Sequence, residues 1–169
     1  MIIRQEKPSD YETVYQLIIE AFKEAEHSDG NEQNLVVALR QSQSFEPKLS
    51  LVAEINNIIV GHILFTKVEV GKKVALALAP LSILPDYQKR GIGLALIKEG
   101  HTIAKQLGYT YIIVLGHPQY YPKAGYQLAK NYNLKAPFEI LDEYFMAIKL
   151  DSQAEPIEGI VTYDPVFNI

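Results

Sequence analysis

The stretch Leu81–Gly100, LSILPDYQKRGIGLALIKEG, constrains the fold more than any other part of the chain. An apolar run stops at Pro85. A basic loop broken by Gly91 and Gly93 follows, and an amphipathic helical pattern starts at once, with Ile92, Ala95, Leu96, Ile103 and Leu107 on one face. Gly108 supplies a stop for that helix. Tyr111–Leu115 then reads as a short, fully apolar strand. Strand, helix and strand in this order predict a right-handed parallel crossover.

The preceding segment reads as antiparallel. Leu49–Ile55, Ile58–Val70 and Val74–Leu84 have strand character. Asn56-Asn57 tolerates positive φ and predicts a tight hairpin turn; Gly71-Lys72 predicts a second. These three strands form a meander. Pro80 cannot donate a ladder hydrogen bond, so a bulge or a split in pairing is expected there.

Ile2–Arg4 reads as a short first strand. Ser9 and Glu12 have the spacing of a capping box, with Val14, Leu17, Ile18, Ala21 and Phe22 following at helical intervals. Leu35, Val36 and Leu39 mark a second short helix beyond a polar loop. Pro118–Ala124 is at most a short helix, ended by Gly125. Tyr144–Leu150 and Gly159–Tyr163 read as further strands. No repeat or linker divides the chain. One α/β (α+β) domain over residues 1–169 is expected, with about 137–169 supplying C-terminal strands.

Composition narrows the function. The 169 residues suffice for one real core, and 48% hydrophobic with 21% charged residues is globular composition. A net charge of -4 argues against bulk nucleic-acid binding. The absence of cysteine excludes disulfides, thiolate catalysis and cysteine zinc sites. No His, Asp and Glu set has metal-ligand spacing, so no metal is expected. The N-terminus MIIRQEKPSD lacks the apolar core of a signal peptide. The longest apolar stretch, near Ile58–Phe65, is too short to span a bilayer. A cytoplasmic protein without membrane or nucleic-acid partners, monomeric or homodimeric, is expected.

The glycine loop suits an anion. A helix start presents unpaired N–H groups and the positive end of the helix dipole, and glycines let a ligand approach that backbone. Gln88–Gly93 lacks the Gly-Lys-Ser/Thr ending of a P-loop. It also lacks the third glycine of a dinucleotide fingerprint, since position 96 is leucine. On the loop alone, a plain surface turn with basic residues remains an equal reading.

Leu81-Ser82-Ile83-Leu84-Pro85 followed by Gln88-Lys89-Arg90-Gly91-Ile92-Gly93 resembles the acyl-CoA signature of the GNAT superfamily of N-acetyltransferases. Downstream, LGHPQYYPKAGY (Leu115–Tyr126) is similar to the late tyrosine segment of its YhbS-like branch, as are the C-terminal FMAIKL and GIVTYDPVF. The resemblance covers nearly the whole chain. It implies a mixed central sheet with an antiparallel meander and one parallel strand pair split to form the CoA cleft. It implies that backbone N–H groups from Gln88 to Leu94 hold the CoA pyrophosphate, while Leu81, Ser82 and Ile83 pair with the pantetheine arm. Lys89 and Arg90 then face the ribose phosphate or are simply solvated.

The resemblance also implies direct transfer of an acetyl group from acetyl-CoA to a primary amine. Tyr121, four residues before Gly125, occupies the position of the family's general-acid tyrosine. Tyrosine, with a free pKa near 10, is protonated at neutral pH and can donate to a departing thiolate. The base stays open. His117 is a candidate but reads better as a turn cap, Glu69 reads as a solvated strand residue, and His62 as a structural or outward-facing one. His27 and Asp29 lie in the loop that borders the acceptor pocket in the family. Two alternatives to the enzyme are kept: an acyl-CoA-binding sensor without catalysis, and a generic nucleotide-phosphate binder.

Overall fold

The structure, a computed structural model, describes residues 1–169. A nine-stranded sheet forms its centre. The chain begins with β1 (Ile2–Gln5), then α1 (Tyr11–Phe22) and α2 (Glu32–Arg40). The meander follows as β2 (Phe45–Ile55), β3 (Ile58–Val70) and β4 (Lys73–Ile83). Next come α3 (Ile92–Gln106) and β5 (Tyr111–Leu115). The C-terminal part contributes β6 (Gln127–Leu128), β7 (Leu134–Lys135), β8 (Phe145–Lys149) and β9 (Gly159–Thr162). The order across the sheet is β1-β2-β3-β4-β5-β8-β6, with β9 paired to β3 and to β7.

Local chemistry explains the connections. Asn56 and Asn57 both adopt positive φ, 52° and 64°, as the two-residue turn between β2 and β3 demands. The N-terminal cap differs from the capping box expected at Ser9 and Glu12. Pro8–Asp10 forms a 3-10 turn instead, and the Asp10 carboxylate accepts the Lys7 N–H at 2.7 Å. Asp10 takes that place because the Arg4 guanidinium pins its carboxylate at 2.7 and 2.9 Å. The same pairing holds the Asp10 carboxyl below the usual carboxylate range. β2 also starts at Phe45, earlier than expected, because a register shift between Phe45 and Ser50 absorbs the polar lead-in.

Side-chain alternation divides the core between the two sheet faces. Ile63 and Phe65 of β3 pack with Leu96 and Ile97 of α3. Leu64, between them in sequence, packs on the opposite face with Val14, Leu17 and Ile18 of α1 and Val36 and Leu39 of α2. A third cluster, with Ala75, Tyr111, Ile113, Phe145 and Val161, lies where β9 meets the sheet.

The break in β4 matters most for the site. Phe65 faces Leu78 and Ile63 faces Leu81, so β4 carries one extra residue, around Ala79-Pro80. β4 and β5 are parallel and pair only over Leu76–Leu78 and Ile112–Val114. Beyond Leu78 the two strands separate, while β4 stays paired with β3 as far as Ile83. A proline and a bulge thus free one edge of β4 where α3 begins. No helix is long and apolar enough to cross a membrane.

Candidate functional site

A cleft of about 660 Å³ opens at this free edge. Its floor is Leu81 and Ile83 of β4. One wall is the turn and helix start from Tyr87 to Leu94, with Gln88, Lys89, Gly91, Ile92 and Gly93. Tyr120 and Lys123 close another side, and Ala21, Phe22 and Ala25 at the end of α1 close a third.

The helix start is arranged for an anion. Gly91 caps α3 in the left-handed region at φ 82°, and Lys89 is left-handed at φ 63°. The Gly91 carbonyl accepts the first helical bond, from Ala95 at 3.1 Å. The N–H groups of Ile92, Gly93 and Leu94 therefore have no partner inside the helix. Gly91 has open space around its α-carbon, so its requirement is conformational. Gly93 has a spatial one: a methyl group there would collide with the Tyr120 hydroxyl and approach Leu81 at 3.5 Å. The Gln88 side-chain amide donates to the Ile83 carbonyl at 3.0 Å, tying the loop to the end of β4.

Two residues of the signature stand off the cleft wall. Ser82 alternates away from Leu81 and Ile83 and is 1% exposed on the α1 side of the sheet. The Arg90 guanidinium lies over the Tyr87 ring, 5.2 Å from its centroid.

The two adjacent tyrosines occupy different places. Tyr120 reaches the start of α3 and lines the cleft. Tyr121 does not line it; its ring lies against Gly116, just past the end of β5, and packs edge-on between Tyr120 and Tyr126 at 5.2 and 5.7 Å. Burial, and secondarily Tyr120, pushes the Tyr121 hydroxyl pKa well up. Burial also raises that of Tyr120. Both hydroxyls keep their protons across the neutral range. Tyr126 is anchored by His101, whose Nε2 lies 2.9 Å from the Tyr126 hydroxyl.

The other candidates separate. His117 is exposed and its Nδ1 accepts the Gln119 N–H at 3.4 Å, the geometry of a turn cap. Glu69 is exposed on β3 opposite Thr162 of β9, beside a different depression. His27 is exposed, and Asp29 accepts the Asn31 N–H at 2.9 Å. Asp29 lines a shallow pocket that shares Phe22 and Ala25 with the cleft. His62 is completely buried. Sequence reasoning passed over Lys123, whose Nζ lies 5.9 Å from the Tyr120 ring centroid. Its position two residues beyond the tyrosine pair was the available signal.

Comparison with known proteins agrees with this architecture. Residues 11–126 match the acetyltransferase (GNAT) family. The chain is 35% identical to the uncharacterized N-acetyltransferase YjhQ of Escherichia coli over 136 residues, 76% of this chain and 75% of that protein. It is 29% identical to the uncharacterized N-acetyltransferase YhbS of E. coli over 172 residues, covering 99% of each. The crystal structure of E. coli YhbS in complex with CoA matches with a TM-score of 0.90 at 27% identity, over 99% of this chain and 92% of that one. A GNAT family acetyltransferase from Brucella melitensis in complex with acetyl-CoA matches with a TM-score of 0.82 at 31% identity, over 98% and 97%. The family match spans the meander, the freed edge of β4, the glycine loop and the tyrosine pair, and the chain belongs to the GNAT family of acetyltransferases.

Proposed function

We propose that the protein is an N-acetyltransferase that moves the acetyl group of acetyl-CoA directly to a primary amine. The observation that carries this reading is the meeting of two backbone features in one cleft. The freed edge of β4 supplies unpaired strand groups, and the start of α3 supplies unpaired N–H groups. The first suits the amides of a pantetheine arm, and the second suits a pyrophosphate. Leu81, Ser82 and Ile83 are the strand residues and Gln88 to Leu94 the anion loop. Lys89 is the loop's cation on the cleft wall, Lys123 stands on the side beside Tyr120, and Arg90 lends charge from outside the wall. The two solved relatives bind CoA and acetyl-CoA, which is consistent with this reading.

With the pyrophosphate at α3 and the arm running along β4, the thioester lies toward the point where β4 and β5 part. Tyr121 stands on the β5 side of that point, against Gly116. We assign it the role of proton donor to the departing CoA thiolate, and assign Tyr120, near the start of α3, to binding. Burial raises the Tyr121 pKa, so the hydroxyl carries its proton throughout the neutral range and is present in its donor form. The amine attacks the thioester carbonyl, the C–N bond forms and the C–S bond breaks; the thiolate takes the tyrosine proton, the nitrogen gives up its proton to water, and exchange with water restores the tyrosine hydroxyl.

The test is thiol release from acetyl-CoA with a panel of primary amines, alongside calorimetric titration with CoA. Turnover with at least one amine is expected. Firm CoA binding without turnover on any amine would shift the assignment to an acyl-CoA-binding sensor.

A further inference from the structure

The segment that carries the tyrosine pair is held mostly by itself. The Tyr120 N–H donates to the His117 carbonyl at 3.1 Å, the Lys123 N–H to the Tyr120 carbonyl at 3.1 Å and the Gly125 N–H to the Pro122 carbonyl at 3.0 Å. The Gln119 N–H donates to His117 Nδ1 in the same turn. These bonds shape the turn without attaching it to the elements around it. Backbone ties hold its two ends, from the Gly116 N–H to the Tyr144 carbonyl and from Gln127 and Leu128 to β8. Between those ends a single side-chain hydrogen bond reaches another element. It joins the Tyr126 hydroxyl to His101 Nε2 of α3 at 2.9 Å.

That bond bears on Tyr121 by two routes. The Tyr126 N–H donates to the Tyr121 carbonyl at 3.3 Å, which links the two backbones. The Tyr126 ring meets the Tyr121 ring edge-on, with centroids 5.7 Å apart. Gly116 and the Tyr120 ring confine Tyr121 on its other sides. No hydrogen bond within the protein aims the Tyr121 hydroxyl, so these packed groups alone set its direction. The Tyr126 ring is one wall of that socket, and its own hydroxyl fixes how far the wall can slide.

The chemistry of the pair suits placement better than stability. Tyr126 is 3% exposed, and its hydroxyl would be unsatisfied without His101. Two apolar side chains of the same shape would pack here at nearly the same stability, since a buried hydrogen bond adds little net. What the bond adds is direction. Burial lowers the His101 pKa to about 4, so the imidazole is neutral in the neutral range. As either tautomer it forms this one bond, by donating to the hydroxyl or by accepting from it.

The helix that supplies the histidine also forms the anion wall of the cleft. His101 lies nine positions after Ile92, roughly 13 Å along the axis of α3. The residue before it, Gly100, seats α3 on the Phe65 ring of β3. One seated helix thus presents free N–H groups at its start and holds the support of Tyr121 further along.

We propose that His101 is a positioning residue for acetyl transfer: through its hydrogen bond to Tyr126 it fixes the Tyr121 hydroxyl relative to α3, and so relative to the cofactor that α3 anchors. This rests on the acetyltransferase reading above. His101 and Tyr126 do not line the cleft and exchange no proton with the substrates. Their contribution is geometric, because donor and thioester are then placed from the same helix.

His101→Leu and Tyr126→Phe remove the bond from either side. Each should bind CoA with wild-type affinity by calorimetry and lose about 10-fold in kcat, part of the roughly 10²-fold that a misplacement of about 1 Å can cost. His101→Gln, which keeps a neutral donor and acceptor, should recover most of the loss. In a Tyr121→Phe background, where the donor is already gone, His101→Leu should lower kcat no further. Tyr126→Phe keeps its ring in the core and carries the comparison if His101→Leu does not fold. A lowered thermal midpoint with kcat per folded molecule intact in the single variants would mark the bond as structural and overturn the proposal. So would a full further loss in the Tyr121→Phe background, or CoA affinity that falls together with kcat. If the wild type acetylates no amine, the acetyltransferase reading fails and the positioning role falls with it. An active wild type matched by Tyr126→Phe removes the positioning role alone.

Discussion

The start of α3 and the polar row beneath α1 both border β4, yet they are built in opposite ways. The helix start is a backbone site. Its N–H groups come from consecutive residues, and its side chains matter mainly by being absent, at Gly91 and Gly93. The polar row is a side-chain site assembled from Glu6 just after β1, Arg40 of α2, Ser50 of β2, His62 of β3 and Ser82 of β4. A backbone site is fixed once its turn forms. A cross-strand row exists only when every register is right, and its buried ion pair makes each member expensive to lose. Substitutions should therefore act on binding or turnover near the cleft, and on stability along the row.

The largest expected effect is at the tyrosine pair. Tyr121→Phe should lower turnover by about 10²–10⁴-fold while leaving CoA affinity near wild type. Tyr120→Phe should act in the reverse sense, weakening CoA binding modestly with turnover of the bound complex largely kept. Steady-state kinetics and calorimetry on both variants check this. Loss of turnover in Tyr120→Phe alone would exchange the two roles.

The row should yield stability effects. Arg40→Leu leaves the Glu6 carboxylate, 1% exposed, without its counter-charge. Breaking a buried pair from one side costs about 3–5 kcal/mol. Urea unfolding measures this, and a cost below about 1 kcal/mol would mean that the row is not dry. Acid probes the same place. The folded pKa of His62 lies below its unfolded value of 6.5, so between the two the unfolded chain binds more protons. The stability from a neutral His62 is complete above about pH 6.5 and is lost as pH falls toward 4, on the order of 3 kcal/mol in all. Unfolding titrations between pH 7 and pH 4 should show that slope, and His62→Gln should flatten it.

A smaller effect belongs to the seat of α3 on the sheet. A methyl group at Gly100 would run into the Phe65 ring. Gly100→Ala should cost about 1–3 kcal/mol through overpacking, despite the better helix propensity of alanine. Thermal denaturation distinguishes this from the slight stabilisation that propensity alone predicts.

These contrasts match what could be read from the sequence. The hairpin at Asn56-Asn57, the break at Pro80 and the glycine loop depend on a few adjacent residues whose chemistry dictates φ or forbids a hydrogen bond. The order of elements followed from them. His62 carried no such information. A histidine in an apolar strand reads as structural or outward-facing, and only the register brings Ser50, Glu6 and Ser82 to it. The N-terminal cap moved from Ser9 to Asp10 for the same reason, since Arg4 fixes Asp10 from a neighbouring segment. The tyrosine pair lies between these extremes. The family resemblance singles out Tyr121, but which ring lines the cleft depends on the backbone of the turn that starts there.

A cofactor site built from backbone is tested by calorimetric titration of CoA into folded Gly93→Val and Lys89→Ala. Gly93→Val, whose side chain must displace Tyr120 and intrude on the helix start, should lose about 10²-fold or more in affinity. Lys89→Ala should lose only about two- to five-fold, the worth of one exposed charge near a helix N-terminus. Wild-type affinity in Gly93→Val, or a larger loss in Lys89→Ala than in Gly93→Val, would contradict a cofactor site built from backbone.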